Sequence, residues 1–386
     1  MRMLFVTTTS ATAYAFVLPF AKYMREKGHE ISFACSFKSF ADAPSSVQGI
    51  TDAGFVVHEI PFAREINAFQ DIKAFWSLTK LLRDRNYDLV HTHTSKAGFI
   101  GRFAAKMAGC PLVIHTVHGL SYLTYDSGFK RNLFIVLEKL AAPFCDVMLC
   151  VSEGMRQEAI RHKLKDEAAL EVVGQGIDFA KFRNLKIDVG AVRAQYGLTP
   201  TDLVIGSVGR LVYQKGFEIL LQAAVLVFQK YPDACLVIAG SGELDAELKA
   251  LASSLGIAEK VKILGPLAHQ EVMKLMSSLD LFVLSTRFEG LGIVYVEAMA
   301  LECPTVGSRI SPVTEVVKDG ETGILATVND PEDFARAIIY LLENPDLQKR
   351  FKTAGLLHVE QEFDEQLVFK RLEAVYQKKA RAVDIV

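Results

Sequence analysis

Glu289 and Glu297 stand eight positions apart, and the stretch between them, Gly290-Leu291-Gly292-Ile293-Val294-Tyr295-Val296, begins as a glycine-rich turn and ends as a helix. A helix start presents unpaired backbone N–H groups and a partial positive charge, so such a turn can seat phosphate, with a carboxylate at either end to hold sugar hydroxyls. That chemistry suits a nucleotide-sugar, although a plain turn entering an amphipathic helix carries the same residue types. Upstream, Gly209-Arg210-Leu211-Val212-Tyr213-Gln214-Lys215-Gly216 follows the apolar run Leu203 to Val208 and precedes a helical pattern from Phe217. The order strand, Gly-rich turn, helix puts Arg210 and Lys215 at the carboxyl end of a strand, where open α/β sheets bind ligands. Two cations there match a diphosphate, Arg by its planar fork and Lys as a point charge.

The first half carries histidines in comparable places. His91-Thr92-His93-Thr94-Ser95-Lys96-Ala97-Gly98 follows one strand and His115-Thr116-Val117-His118-Gly119 the next. His91 and His93 lie on one strand face, yet no carboxylate or Cys completes a zinc set, so hydrogen bonding is the expected role and no metal site is expected. Six cysteines lie scattered among apolar neighbours with no C-x-x-C pair, which points to buried, reduced thiols.

Short β-rich runs alternate with helical patterns along the chain. Strands are expected at Met3 to Val6, Glu30 to Ala34, Val56 to Ile60, Leu89 to His91, Leu112 to Thr116, Val147 to Val151 and Leu170 to Val173. A second series restarts at Leu203 to Val208, followed by Ala234 to Ala239, Val261 to Leu264, Leu281 to Leu284, Pro304 to Gly307 and Gly323 to Leu325. Such alternation predicts an α/β chain of two Rossmann-like, doubly wound domains facing across a cleft. The expected division is 1–183 for the first domain and 184–362 for the second. The tail 363–386 reads as a helix with the stripe Leu367, Phe369, Leu372, Val375 and Tyr376, expected to pack back on the first domain.

Composition narrows the partners. The 386 residues suffice for two ordinary cores, and half of them are hydrophobic. No eighteen-residue apolar run reads as a membrane span, and the first residues lack the pattern of a signal peptide, so a cytoplasmic protein is expected. Residues 1–183 hold 22 basic against 18 acidic side chains, and the remainder 21 against 27, a split of +4 and −6. A basic first half suits an anionic acceptor or membrane surface, whereas nucleic acid would call for a dense basic stripe that is absent. Phe62, Phe69, Phe75 and Trp76 with nearby cations are candidates for peripheral contact with the inner face of the cytoplasmic membrane.

The second half resembles the nucleotide-binding domain of retaining glycosyltransferases of the GT-B fold, family 4. The likeness rests on the Gly209 to Gly216 turn, the turn ending at Gly242, the strand-turn Val261 to Gly265, the paired glutamates, and Glu315 within Ser311 to Gly320. It implies that Arg210 and Lys215 neutralise the donor diphosphate, that Glu289 and His118 hold the transferred sugar, and that these four are the catalytic set. Donor contacts would come from Leu264, from Gly290, Leu291, Gly292 and Ile293, and from Glu297 on the ribose.

Asp88 to Arg102 with His115 to Gly119 resembles the branch building polysaccharide, capsule and O-antigen units on polyprenyl-diphosphate lipids. This implies a glycan or lipid-linked sugar acceptor near Ser10, Thr12, His93 and Lys96, with Arg64, Lys96, Arg102, Lys130 and Arg131 as candidates for its phosphate. Thr7 to Ala13 departs from the family's usual Gly-Gly turn. The donor, with UDP favoured, is a co-substrate, so no cofactor and no metal are expected. A nucleotide-sugar 2-epimerase, a phosphorylase of similar shape and a two-lobed sugar-binding protein remain the competing readings; a dehydrogenase would want a G-x-G-x-x-G that neither half supplies.

Overall fold

The computed structural model of the chain describes residues 1–38, 43–63, 66–124 and 128–385. Two compact units are present: Met1–Gly174 together with Val368–Val386, and Gln175–Leu367. The division falls upstream of Arg183 because the residues after Gly174 bond into the second unit. There the Ile177 N–H donates to the Phe363 carbonyl at 2.9 Å, and the Glu365 N–H to the Ile177 carbonyl at 3.0 Å.

The first unit is built on seven parallel strands, β1 (Arg2–Thr9), β2 (Glu30–Ser36), β3 (Val56–Glu59), β4 (Leu89–His93), β5 (Leu112–Val117), β6 (Val147–Cys150) and β7 (Leu170–Val172). Their spatial order is β3-β2-β1-β4-β5-β6-β7. Helices cover both faces of such a sheet, which is why the central strand buries Met3, Leu4, Phe5 and Val6 on both sides without polar alternation. The second unit repeats the plan with β8 (Leu203–Val208), β9 (Ala234–Ala239), β10 (Val261–Ile263), β11 (Leu281–Leu284), β12 (Thr305–Ser308) and β13 (Ile324–Ala326), in the order β10-β9-β8-β11-β12-β13. In each sheet the winding reverses once, between β1 and β4 and between β8 and β11, and the loops leaving such neighbours diverge to leave a crevice at their carboxyl ends.

The helical pattern expected from Phe217 is the helix Phe217–Lys230. Helices over Ala43–Asp52, Phe179–Arg183, Val189–Gln195 and Pro345–Phe363 go beyond the sequence expectation. The last buries Phe351, Gly355, Val359 and Phe363, one residue every four, and a glycine within a stripe otherwise flanked by Lys, Gln and Glu hides its amphipathic character.

The final helix, Glu365–Ala382, sends Phe369, Leu372, Val375, Tyr376 and Ala380 into the core of the first unit. Phe20 meets Phe369 and Tyr376 there with ring centroids 5.5 Å apart in each case, and the Tyr376 hydroxyl bonds His91 Nδ1. Phe369→Ala would leave a cavity under that helix and should cost about 3–5 kcal/mol by urea denaturation; a loss under about 1 kcal/mol would contradict this packing.

Candidate active site

The two glycine-containing turns of the second unit emerge side by side from β8 and β11. Gly216 closes the first turn at φ +63°, and a Cβ there would lie 2.2 Å from the Ser285 carbonyl oxygen, so glycine alone permits this approach. The Ser285 hydroxyl donates to the Gly216 carbonyl at 2.7 Å and the Thr286 hydroxyl to the Gln214 carbonyl at 3.0 Å. Gln214 Nε2 returns the link by donating to the Phe288 carbonyl at 2.8 Å. So tied, the turns bring Lys215 Nζ to 2.5 Å from Glu289 Oε1, with side chains 13% and 8% exposed. An ion pair shielded to this degree keeps both charges ready for a ligand that offers phosphate to one and hydroxyls to the other.

Gly292, at φ +90°, heads the helix Ile293–Ala300, whose first N–H groups have no partner within the helix. One turn further on, Glu297 Oε1 sits 2.7 Å from His269 Nε2, and this hydrogen bond raises the imidazole above its ordinary value. Arg210 is exposed, with Nη2 donating to Gln214 Oε1 at 3.4 Å. Leu264, half-buried just past β10, donates its N–H to the Ile238 carbonyl at 2.9 Å and so fixes the edge of that turn.

In the first unit β4, β5 and the residue just past β5 deliver a histidine cluster in which His91, His93 and His115 are buried and His118 is half-buried. His93 Nδ1 lies 3.0 Å from His118 Nε2; His91 Nε2 lies 2.7 Å from the Thr116 hydroxyl; His115 Nδ1 lies 2.9 Å from the Thr92 hydroxyl. Desolvation lowers His91, His93 and His115 well below the ordinary 6.5, with neighbouring positive groups assisting, and lowers His118 to about 4. Neutral rings are therefore the resting form, and the His93–His118 contact is one ring donating to the other.

The hydroxyl-rich stretch expected as a turn is the end of β1 running straight into a helix that begins at Ser10. Thr9 caps the next helix by accepting from the Thr12 N–H at 3.2 Å, and the Thr8 and Thr94 hydroxyls meet at 2.7 Å. Thr12 is half-buried; Ser10 and His93 are closed to solvent and can shape a site from behind. Lys96 is engaged by Asp71 at 2.9 Å.

Two expectations need correction. Arg102 cannot meet an acceptor phosphate: it is fully buried, with Nη2 2.8 Å from Glu138 Oε2 and Nε on the Gly98 carbonyl. Phe62, 3% exposed, belongs to the core, whereas Phe69 and Trp76 are exposed. Arg64 lies outside the described residues. His269, Gln214 and Arg287 were missed: His269 at a helix start after β10 could have been noticed as a titratable group at a strand end, but nothing distinguished Arg287 from a surface cation. All six cysteines are free and buried.

Comparison with known proteins identifies the family. The family profile described as Glycosyltransferase Family 4 matches residues 15–181, and that described as Glycosyl transferases group 1 matches residues 188–357. The UDP-Gal:alpha-D-GlcNAc-diphosphoundecaprenol alpha-1,3-galactosyltransferase of Escherichia coli is 30% identical over 285 residues, 73% of each chain. The capsular polysaccharide biosynthesis glycosyltransferase CapM of Staphylococcus aureus is 29% identical over 326 residues, 83% of this chain and 84% of its own. Among solved structures, Anabaena Alr3699/HepE in complex with UDP and glucose superposes with a TM-score of 0.84, 20% identity, and coverage of 98% of this chain and 100% of its own. The chain therefore belongs to family 4 of the glycosyltransferases, retaining, metal-independent enzymes of the GT-B fold that draw on nucleotide-sugars.

The histidine cluster carries a pH consequence. Below pH 6.5 the unfolded chain binds protons that the buried rings refuse, so their contribution is complete above that value and is lost as pH falls toward the folded values. Each ring contributes a slope of up to about 1.4 kcal/mol per pH unit. Thermal scans should show Tm falling steeply from about pH 6.5 to about pH 5, above the range where most carboxylates titrate; a flat Tm there would contradict neutral burial.

Proposed function

We propose that the protein transfers a hexose, with retention, from a UDP-sugar to a sugar carried on a polyprenyl diphosphate, a step in assembling a bacterial surface polysaccharide. The observation that carries this reading is the shielded Lys215–Glu289 pair on the two turns beside the β8–β11 reversal. Support for the lipid-linked acceptor comes from the diphosphoundecaprenol in the name of the Escherichia coli relative, and for the nucleotide from the UDP in the Anabaena structure.

In this reading Lys215 and Arg210 neutralise the diphosphate as it leaves. Glu289 holds hydroxyls of the transferred sugar, the N–H groups of Gly290, Leu291, Gly292 and Ile293 contact the sugar and phosphates, Glu297 holds the ribose, and Leu264 borders the nucleotide. His118 hydrogen-bonds a hydroxyl of the transferred sugar. The bond from the anomeric carbon to the phosphate oxygen breaks, the acceptor hydroxyl attacks the same face, and its proton passes to the departing phosphate. Pre-placed cations stabilise the charge that grows on that oxygen, which is commonly the largest catalytic contribution.

The acceptor side falls to the first unit, through Ser10, Thr12, His93 and Lys96. No described helix is long and apolar enough to cross a membrane, so the lipid acceptor must be met at a surface. Phe69, Ile72 and Trp76 share one face of the helix Ala68–Arg85, are 81%, 59% and 53% exposed, and have Lys73 and Lys80 exposed on the same helix. We assign peripheral contact with the cytoplasmic membrane face to this helix.

One assay tests the whole: release of UDP from UDP-sugars with polyprenyl-diphosphate acceptors, supplied in detergent or in anionic vesicles. Lys215→Ala and Glu289→Gln should each lower turnover roughly 10²- to 10³-fold, and Phe69→Ser with Trp76→Ser should lower it in vesicles only. Wild-type rates in both active-site variants, or an epimerised donor formed without acceptor, would overturn the reading.

A further inference from the structure

We infer that Arg287 is a positioning residue of the donor site, setting the separation of Lys215 and Glu289 by tying the turn that carries one to the turn that carries the other. This rests on the donor-site reading above and adds to it a residue that touches neither sugar nor phosphate. The side chain is 12% exposed. Its donors point in three directions: Nη1 to the Tyr213 carbonyl at 2.6 Å, Nε to Asn329 Oδ1 at 2.8 Å, and Nη2 to the Glu218 carboxylate. The guanidinium also lies 4.0 Å from the centroid of the Tyr213 ring, and the Arg287 backbone N–H donates to the Gln214 carbonyl at 2.8 Å.

These contacts bracket Lys215 in sequence. Tyr213 and Gln214 precede it, Glu218 follows it at the start of the helix Phe217–Lys230, and Arg287 itself stands two residues before Glu289. The third tether reaches the loop after β13, where Asn329 holds a left-handed conformation at φ +60°. An Asn tolerates that conformation better than most residues, and a side-chain bond to a fixed guanidinium helps to hold it. Only a planar fork donates along three separate directions while stacking on a ring, so lysine cannot substitute. With its nitrogens turned to protein acceptors, Arg287 acts on the donor through Lys215 and Glu289.

The alternative is that Arg287 merely stabilises the unit, and Glu218 allows the two to be separated. Removing the arginine alone strands a carboxylate whose Oε2 is already buried without a partner, and the variant could fail to fold. Arg287→Met combined with Glu218→Gln removes that stranded charge. The measurement is the Kd for UDP by calorimetry, or for GDP if that is the nucleotide the wild type binds, alongside Tm and steady-state KM and kcat.

The double variant should keep a Tm near wild type, yet bind the nucleotide roughly 10- to 100-fold more weakly, since a displacement near 1 Å is enough for such a loss. Donor KM should rise with acceptor KM unchanged, and Arg287→Lys should not restore affinity. Wild-type nucleotide affinity in the folded double variant, or full rescue by Arg287→Lys, would overturn the inference. Lys215→Ala serves as the control: if it too binds like wild type, the donor-site reading fails, whereas if it alone loses affinity, only the role of Arg287 does.

Discussion

The ammonium of Lys215 and the carboxylate of Glu289 meet at 2.5 Å between two turns that the parallel sheet forces to begin beside one another. A shielded pair of this kind adds little net stability, because desolvating both ions roughly offsets their attraction, but deleting one partner is costly. The glycine at 216, the hydroxyls of Ser285 and Thr286 and the amide of Gln214 all bring the two turns together. These contacts hold one cation and one anion side by side where the two turns meet.

The first unit solves a different problem with the same sheet. Its winding reversal is lined by neutral rings and hydroxyls, so it presents hydrogen bonds rather than charge. The last helix of the chain is part of that arrangement, since the Tyr376 hydroxyl reaches His91 from 285 positions away. Packing and polar chemistry are coupled here: the apolar face that docks the helix also delivers a hydroxyl to the Nδ1 of the buried His91.

Periodicity made the alternation of strands and helices legible, because buried parallel strands read as continuous apolar runs and their boundaries fall at glycine-rich turns. The helix Pro345–Phe363 escaped because a glycine sits in its buried stripe. Among site residues, types and places were readable while partners were not. Lys215 and Glu289 are 74 positions apart, and His93 and His118 are 25 apart, so which bonds which is decided by strand order. Arg102 misled for the same reason: an arginine on a helix reads as solvent-facing until Glu138, 36 positions on, is brought beneath it. Arg287 carried no signal at all, since the acceptors that hold it come from two distant stretches, 213–218 and Asn329.

The central claim is that the nucleotide diphosphate binds beside Lys215, leaving Glu289 for the hydroxyls of the transferred sugar. Calorimetric titration of UDP into Glu289→Gln tests it most directly, because the substitution leaves the cation and removes the competing anion. The account predicts tighter UDP binding than wild type, by on the order of tenfold, as expected for deleting one negative charge a few ångströms from a phosphate in a partly shielded site. Unchanged or weaker UDP binding in a variant that remains folded would contradict it.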